Sequence, residues 1–283
     1  MLSVPGLDRS GQQQENEIIG SLPKNDAALD TRRRIREGSL DAPTAGVVPG
    51  NLQGNVVILP GEVAGDFESF CRRNPKPCPL LAVSDRGDPE LASLGNIDIR
   101  TDVPLYRVFR HGRLVSEVID IVDLWREDLV TFVLGCSLSF EKALSDEGVP
   151  VRHLELNTLV PMFRSSIATI AAGQFRGQLV VTMRPVPEEQ VDTAVGITSR
   201  YPYAHGAPVH IGSPEDIGIG SLDQPAWGGP VPVHEGEVPL FWACGVTPQL
   251  AIENARPELC ITHAPGHMLV TDLFAEPVDS TTR

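Results

Sequence analysis

Aromatic residues are scarce, at 5% of 283, so the interior must be filled mainly by Val, Leu, Ile and Ala rather than by stacked rings. No apolar run approaches the roughly 18 residues that a membrane-spanning helix needs, and no membrane partner is expected. The opening stretch MLSVPGLDRSGQQQENE lacks a basic segment followed by an apolar core, so no signal peptide is expected either. Basic residues are in deficit: 23 Lys and Arg against 37 Asp and Glu leave a formal net charge of −14. Such a surface repels phosphate and argues against a nucleic-acid partner. Cysteine is limited to Cys71, Cys78, Cys136, Cys244 and Cys260, an odd count without a CxxC pair. That predicts reduced thiols and a cytoplasmic setting. The stiff Asn-Pro-Lys-Pro between Cys71 and Cys78 disfavours a bridge there.

What is present is enough apolar material, 41% of residues, for a sizeable core in one large domain or two smaller ones. Residues 1–28 are polar and aperiodic and read as a mobile tail. TRRRIREG (31–38) reads as a solvated helix end stopped by Gly38. From residue 50, strand and helix signals alternate. Strands are expected at 55–60, 79–84, 129–135, 238–244 and 258–263, and helices at 63–73, 120–128, 139–148 and 248–256. That rhythm predicts an α/β fold with a mixed, mostly parallel sheet flanked by helices. Residues 150–204 read differently, with strands in RHLEL, MFRSSIATI and QLVVTMRPV and a helix over 188–200. They predict a smaller inserted α+β domain, leaving 29–149 and 205–283 as the main domain. The stretch 212–237, rich in Gly, Pro and Asp, reads as a long ordered loop of the kind that covers a site.

Two thiols stand where chemistry collects in α/β sheets, beyond the carboxyl ends of strands. In FWACGVTPQ, Cys244 precedes a helix with Thr247 as the candidate cap; in TFVLGCSLSFE, Cys136 precedes one with Ser137 and Ser139 in that role. Exposed N–H groups there would lower a thiol pKa and attract a carboxylate. The ordinary role of a buried cysteine, a small hydrophobe, competes with this for each thiol alone. HGAPVHIG supplies His205 and His210, and ITHAPGHMLVTD supplies His263, His267 and Asp272. His205 and His263 are the acid–base candidates. His205, His210, His263 and Asp272 form a candidate set for a divalent metal, though their spacing matches no standard zinc signature. Arg164 and Arg184 are candidates for holding a substrate carboxylate.

The paired-thiol layout is similar to that of cofactor-independent racemases of acidic amino acids, in layout alone. A broader resemblance runs over residues 30–275. APTAGVVPGNLQGNVVILP, DFESFCRRNPKPCPLL, DIRTDVPLYRV, GCSLSFE, VPMFRS, HGAPVHIG, WACGVTPQ and CITHAPGHMLVTDL resemble, in order, the D-glutamate cyclase family, whose bacterial members carry a hydro-lyase label. Asn51, Gly54 and Leu138 depart from the family pattern. The resemblance implies a two-part α/β architecture and loss of water as the reaction, with D-glutamate closing to 5-oxo-D-proline. A two-thiol racemase or epimerase and a non-catalytic metabolite-binding module are the alternatives. Required metal and assembly into a homo-oligomer are left open.

Overall fold

A computed structural model of the chain describes residues 26–44, 46–275 and 277. Helix α1 spans Asp26–Arg36, and strand β1, Asn51–Pro60, runs into α2, Gly61–Arg73. β2 (Leu80–Val83), β3 (Tyr106–Arg110), β4 (Arg113–Val118) and β5 (Leu129–Gly135) lead to α3 (Leu138–Asp146) and a single helical turn, α4 (Arg152–Glu155). β6 (Met162–Ala168), β7 (Gln178–Pro187), α5 (Val191–Ser199), β8 (His210–Ile211) and β9 (Glu237–Ala243) follow. The chain closes with α6 (Val246–Ala255), β10 (Cys260–His263) and β11 (Leu269–Phe274). No helix among the described residues is long and apolar enough to cross a membrane.

The elements form two sheets, one ordered β2-β5-β1-β10-β3-β4 with β11 also on β1, the other β6-β7-β9-β8. The expected mostly parallel sheet is corrected: every recorded strand pairing is antiparallel. Helices do separate β1 from β2 and β9 from β10, but neither of those pairs is adjacent in a sheet. A crossover helix makes parallel neighbours only when the strands it joins share a sheet edge. The second sheet takes two strands from within 150–204 and two from 205–283, so it crosses the expected boundary.

β1 shows why its apolar run is continuous. Val56 and Ile58 pack into one core with Tyr106 and Val133, while Val57 and Leu59 pack into another with Phe67, Phe70 and Phe132. With both faces covered, an antiparallel strand reads as apolar as a parallel one. In the second sheet, Trp242 and Val186 face α3 and α5, whereas Phe241 and Met183 face the loop carrying Ile217 and Val231.

Three local expectations change. Residues 120–128 form only a short 3-10 turn at Val122–Leu124 with Val122 exposed, because no apolar stripe exists to bury a helix there. RHLEL is helical over Arg152–Glu155, with His153 alone buried. The basic segment of α1 is not all solvated: Arg32 is fully buried and pairs with Asp272 at 2.6 Å, while Arg36 pairs with Asp102.

Candidate active site

Three strand ends meet on one side chain, that of Asn55. β5 and β10 both run antiparallel to β1, so their carboxyl ends point the same way. β5 stops at Gly135, opposite Gly54. On the other edge, β10 pairs with β1 at Val57 and Ile58, and β11 takes over at Gly54, leaving Asn55 at the handover. Asn55 Nδ2 donates to the Gly135 carbonyl at 3.0 Å, and Oδ1 lies 3.1 Å from His263 Nε2. Gly245, just past β9 of the second sheet, lies against the same amide: an added Cβ would come to 3.0 Å from Asn55 Nδ2. The two sheets therefore join here, and glycine at 245 makes the approach possible.

Cys136 and Cys244 each sit two residues before a helix at this junction. Cys244 is buried and Cys136 half-buried. Burial pushes the Cys244 thiol up to about 12; the Val246 N–H, which meets Sγ at 3.5 Å, and nearby Arg184 work against the rise, while Cys136 adds to it. The two sulfurs are thus within electrostatic range, but desolvation outweighs the helix terminus and Cys244 stays a thiol. The expected caps are corrected. Ser137 and Gly245 occupy the cap positions without a side-chain bond. Thr247 Oγ1 instead accepts the Val180 N–H at 3.0 Å, tying α6 to β7. Ser139 lies inside the first turn of α3, its buried Oγ without a partner.

Arg184 does not present an open clamp. It is 1% exposed, bonded to the Glu141 carboxylate and to Thr182 Oγ1 at 3.0 Å, with its guanidinium over Phe140 and Trp242. His153 Nε2 adds a 3.2 Å contact to Glu141 Oε1. Glu141, buried yet held by Arg184 and His153, is lowered to about 2 against the desolvation that opposes its charge. Arg184 also acts electrostatically on Cys244 and on His205. Arg164 is exposed on β6 and stacks 4.8 Å over Trp227, which packs against the Val180–Cys244 cluster. Through that tryptophan the 212–237 loop packs against the cluster that holds Cys244.

His205 is buried, with a positive φ of 76° and Gly206 next at 67°. Its Nδ1 meets the Lys76 carbonyl at 2.6 Å, so a neutral ring donates there and keeps Nε2 as its basic nitrogen. His263 differs: Nδ1 lies 2.7 Å from the Ala264 carbonyl and Nε2 faces Asn55 Oδ1, so the single N–H of the neutral ring serves only one of these two acceptors. Burial lowers both rings to about 4. The candidate metal set does not assemble. His210 contacts the Ser213 carbonyl, His267 the Pro265 carbonyl, and Asp272 is held by Arg32. Among the described residues no group of three or more His, Cys, Asp or Glu is placed to hold a metal ion.

A cleft of about 710 Å³ opens beside this junction, lined in part by Asn51, Gln53, Ser139, Glu141 and His153. A smaller cavity of about 140 Å³ is lined by His263 together with Arg107, Gln249 and Cys260.

The family described as D-glutamate cyclase matches residues 130–272. A "Putative hydro-lyase" of Bordetella petrii is 56% identical over 253 residues, covering 89% of this chain and 96% of its own. The chain belongs to the D-glutamate cyclase family. Another relative of the same printed name, from Bordetella pertussis, is 58% identical over 91% of this chain and 93% of its own. The solved structure of a nitrogen repressor-like protein from Methanococcus jannaschii shares 8% identity over 84% of this chain and 92% of its own, with a TM-score of 0.36. That likeness is too distant to bear on fold or site. The D-glutamate cyclase match takes in Cys136, Glu141, Arg184, His205, Cys244 and His263, while Asn55 and Gln53 lie before it.

The sequence reading passed over Asn55, Gln53, Glu141 and His153. A signal for the first two existed: in NLQGNVVILP the polar residues 51, 53 and 55 alternate onto one face of an otherwise apolar strand. Glu141 is a carboxylate beside Phe140 in an apolar stretch of helix, which asks for a buried partner.

Proposed function

We propose that this chain is a hydro-lyase acting on a small acidic amino acid, closing D-glutamate to 5-oxo-D-proline and water. The observation carrying this reading is the meeting of two thiols, the neutral His263 ring and the Asn55 amide where the sheets join, with neutral His205 in the field of the Arg184 that also acts on Cys244. In the reaction the amine nitrogen attacks the side-chain carboxyl carbon. The tetrahedral intermediate then breaks a C–O bond; two protons leave nitrogen and two reach the departing oxygen, which leaves as water. His205 Nε2 suits the first proton transfer, since its ring is neutral through the physiological range. A substrate carboxylate beside it would raise its basicity. Cys244, protonated at neutral pH, suits proton delivery to the leaving oxygen. Cys136, more open, suits a second proton transfer to the departing oxygen. The odd cysteine count without a CxxC pair supports a reducing compartment such as the cytoplasm.

The test is incubation with D- and L-amino acids and hydroxy acids, read by mass for loss of one water. D-glutamate is expected to lose it. No loss or gain of water by any compound, with and without divalent metal, overturns the reading. The electrostatic proximity of Cys136 and Cys244 also favours a two-thiol racemase. That alternative requires deuterium uptake at Cα from heavy water without dehydration.

A further inference from the structure

The cleft between the first half of β1 and α3 has buried polar atoms that nothing among the described residues satisfies. Gln53 is 3% exposed and lines the cleft, yet its Oε1 has no hydrogen-bond partner. Its Nε2 donates to the Thr44 carbonyl at 2.8 Å, which decides which end of the amide is left over. An unmet buried acceptor costs about 1–3 kcal/mol, so its presence calls for a donor that the described residues do not supply. Ser139 Oγ, across the cleft, is likewise buried without a partner. Glu141 is the third acceptor. Arg184 and His153 both engage its Oε1, leaving acceptor capacity at Oε2. Lys142, the nearby cation on α3, is paired with Asp146 at 2.7 Å. The unmet groups are thus mainly acceptors, which repel a carboxylate and suit an ammonium with its three N–H donors.

We propose that this cleft binds the ammonium end of the amino-acid substrate, with Gln53 Oε1, Ser139 Oγ and the Glu141 carboxylate as its acceptors. The identity of the ligand as substrate rests on the hydro-lyase reading. Continuing the Gly54–Gly135 register by one residue brings Cys136 level with Gln53, and Ser139 lies three residues beyond Cys136. An amine held by these groups is therefore near the backbone of Cys136, though neither Cys136 nor Asn55 lines the cleft itself, and Asn55 lies two residues along the same face of β1.

Calorimetry and crystal soaks of the full chain with D-glutamate, L-glutamate and glutarate test this, since glutarate is the same dicarboxylate without the amine. A glutamate is expected to bind more tightly than glutarate, its nitrogen within hydrogen-bond distance of Gln53 Oε1. Gln53→Met keeps the length and removes the acceptor. It is expected to weaken glutamate roughly ten- to a hundredfold, as for loss of a hydrogen bond to a charged group, and to leave glutarate unchanged. Ser139→Ala provides the same comparison if Gln53→Met does not fold. Equal affinity for glutamate and glutarate, binding of neither, water alone on Gln53 Oε1 in soaked crystals, or equal weakening of both ligands overturns the proposal. Glutamate bound in the cleft without turnover would keep this site and remove the hydro-lyase reading. Turnover with an unchanged KM in both variants would do the reverse.

Discussion

Arg184 on β7 and Glu141 on α3 form an ion pair whose side chains are 1% and 4% exposed. The pair fixes the helix that begins just after Cys136, so the thiol is positioned by charges that themselves lie in the core. Removing one partner leaves the other charge buried and uncompensated. Arg184→Ala is expected to cost about 3–5 kcal/mol, read as a lowered urea midpoint. The double variant Arg184→Met/Glu141→Gln should recover much of that loss. A single variant as stable as the parent would show that solvent reaches the pair.

Acid should destabilise the fold in two stages. His205 and His263 protonate near 4 in the fold, against 6.5 for an ordinary histidine. The unfolded chain takes up those protons first, so their contribution is complete above pH 6.5 and drains as pH falls to about 4. Glu141, at about 2 against 4.5, contributes fully above 4.5 and loses its share between 4.5 and 2. Both slopes have the same sign. His205→Asn, a residue that tolerates the positive φ, should flatten the upper stage, with loss of on the order of a hundredfold in turnover. Urea midpoints against pH check the first claim. Identical slopes in parent and variant would refute it.

Iodoacetamide should discriminate among the cysteines. Cys244 and Cys260 are buried, with thiols pushed up to about 12, and Cys78 is raised well above its ordinary value. Cys136 is the half-buried one. Peptide mapping by mass spectrometry should find Cys136 carboxamidomethylated first and the others only after unfolding. Bound D-glutamate should slow that labelling. Early modification of Cys244 would mean that the junction opens in solution.

Gly135→Ala tests the close approach at the end of β5. A methyl there would overlap the backbone carbonyl oxygen of Tyr203, which cannot swing aside like a side chain. Overpacking of this kind costs about 1–3 kcal/mol or more, and the shift would reach Cys136 next door. Parental stability together with parental turnover would contradict the packing described.

Much of the element pattern was legible because it is local. LVTFVLG is a strand over the residues expected, and the helices after Cys136 and Cys244 begin within two residues of their expected starts. Of the turn-borne His205 and His263, the second contacts Asn55, and the first is buried against the Lys76 carbonyl. Arg184 was legible as a candidate arginine, but it lies within β7 rather than at its end, and its partner was not legible. Nothing within its own neighbourhood shows that Glu141, 43 residues away, supplies the carboxylate. Asp272 looked like a metal ligand for the same reason: its real partner, Arg32, is 240 residues distant.

Alternation of apolar residues, proline and glycine positions, and the cysteines placed before helix starts determined which segments are strands and helices and which side chains stand at their ends. These depend on torsions and side chains a few residues apart. Only the tertiary structure decided that the strands pair antiparallel, that two sheets meet on Asn55, and that Cys244 stays protonated. Each of those rests on long-range contacts and on exclusion of water, such as the Asn55–His263 contact across 208 residues, and desolvation there outweighs the helix terminus that the sequence brought to mind.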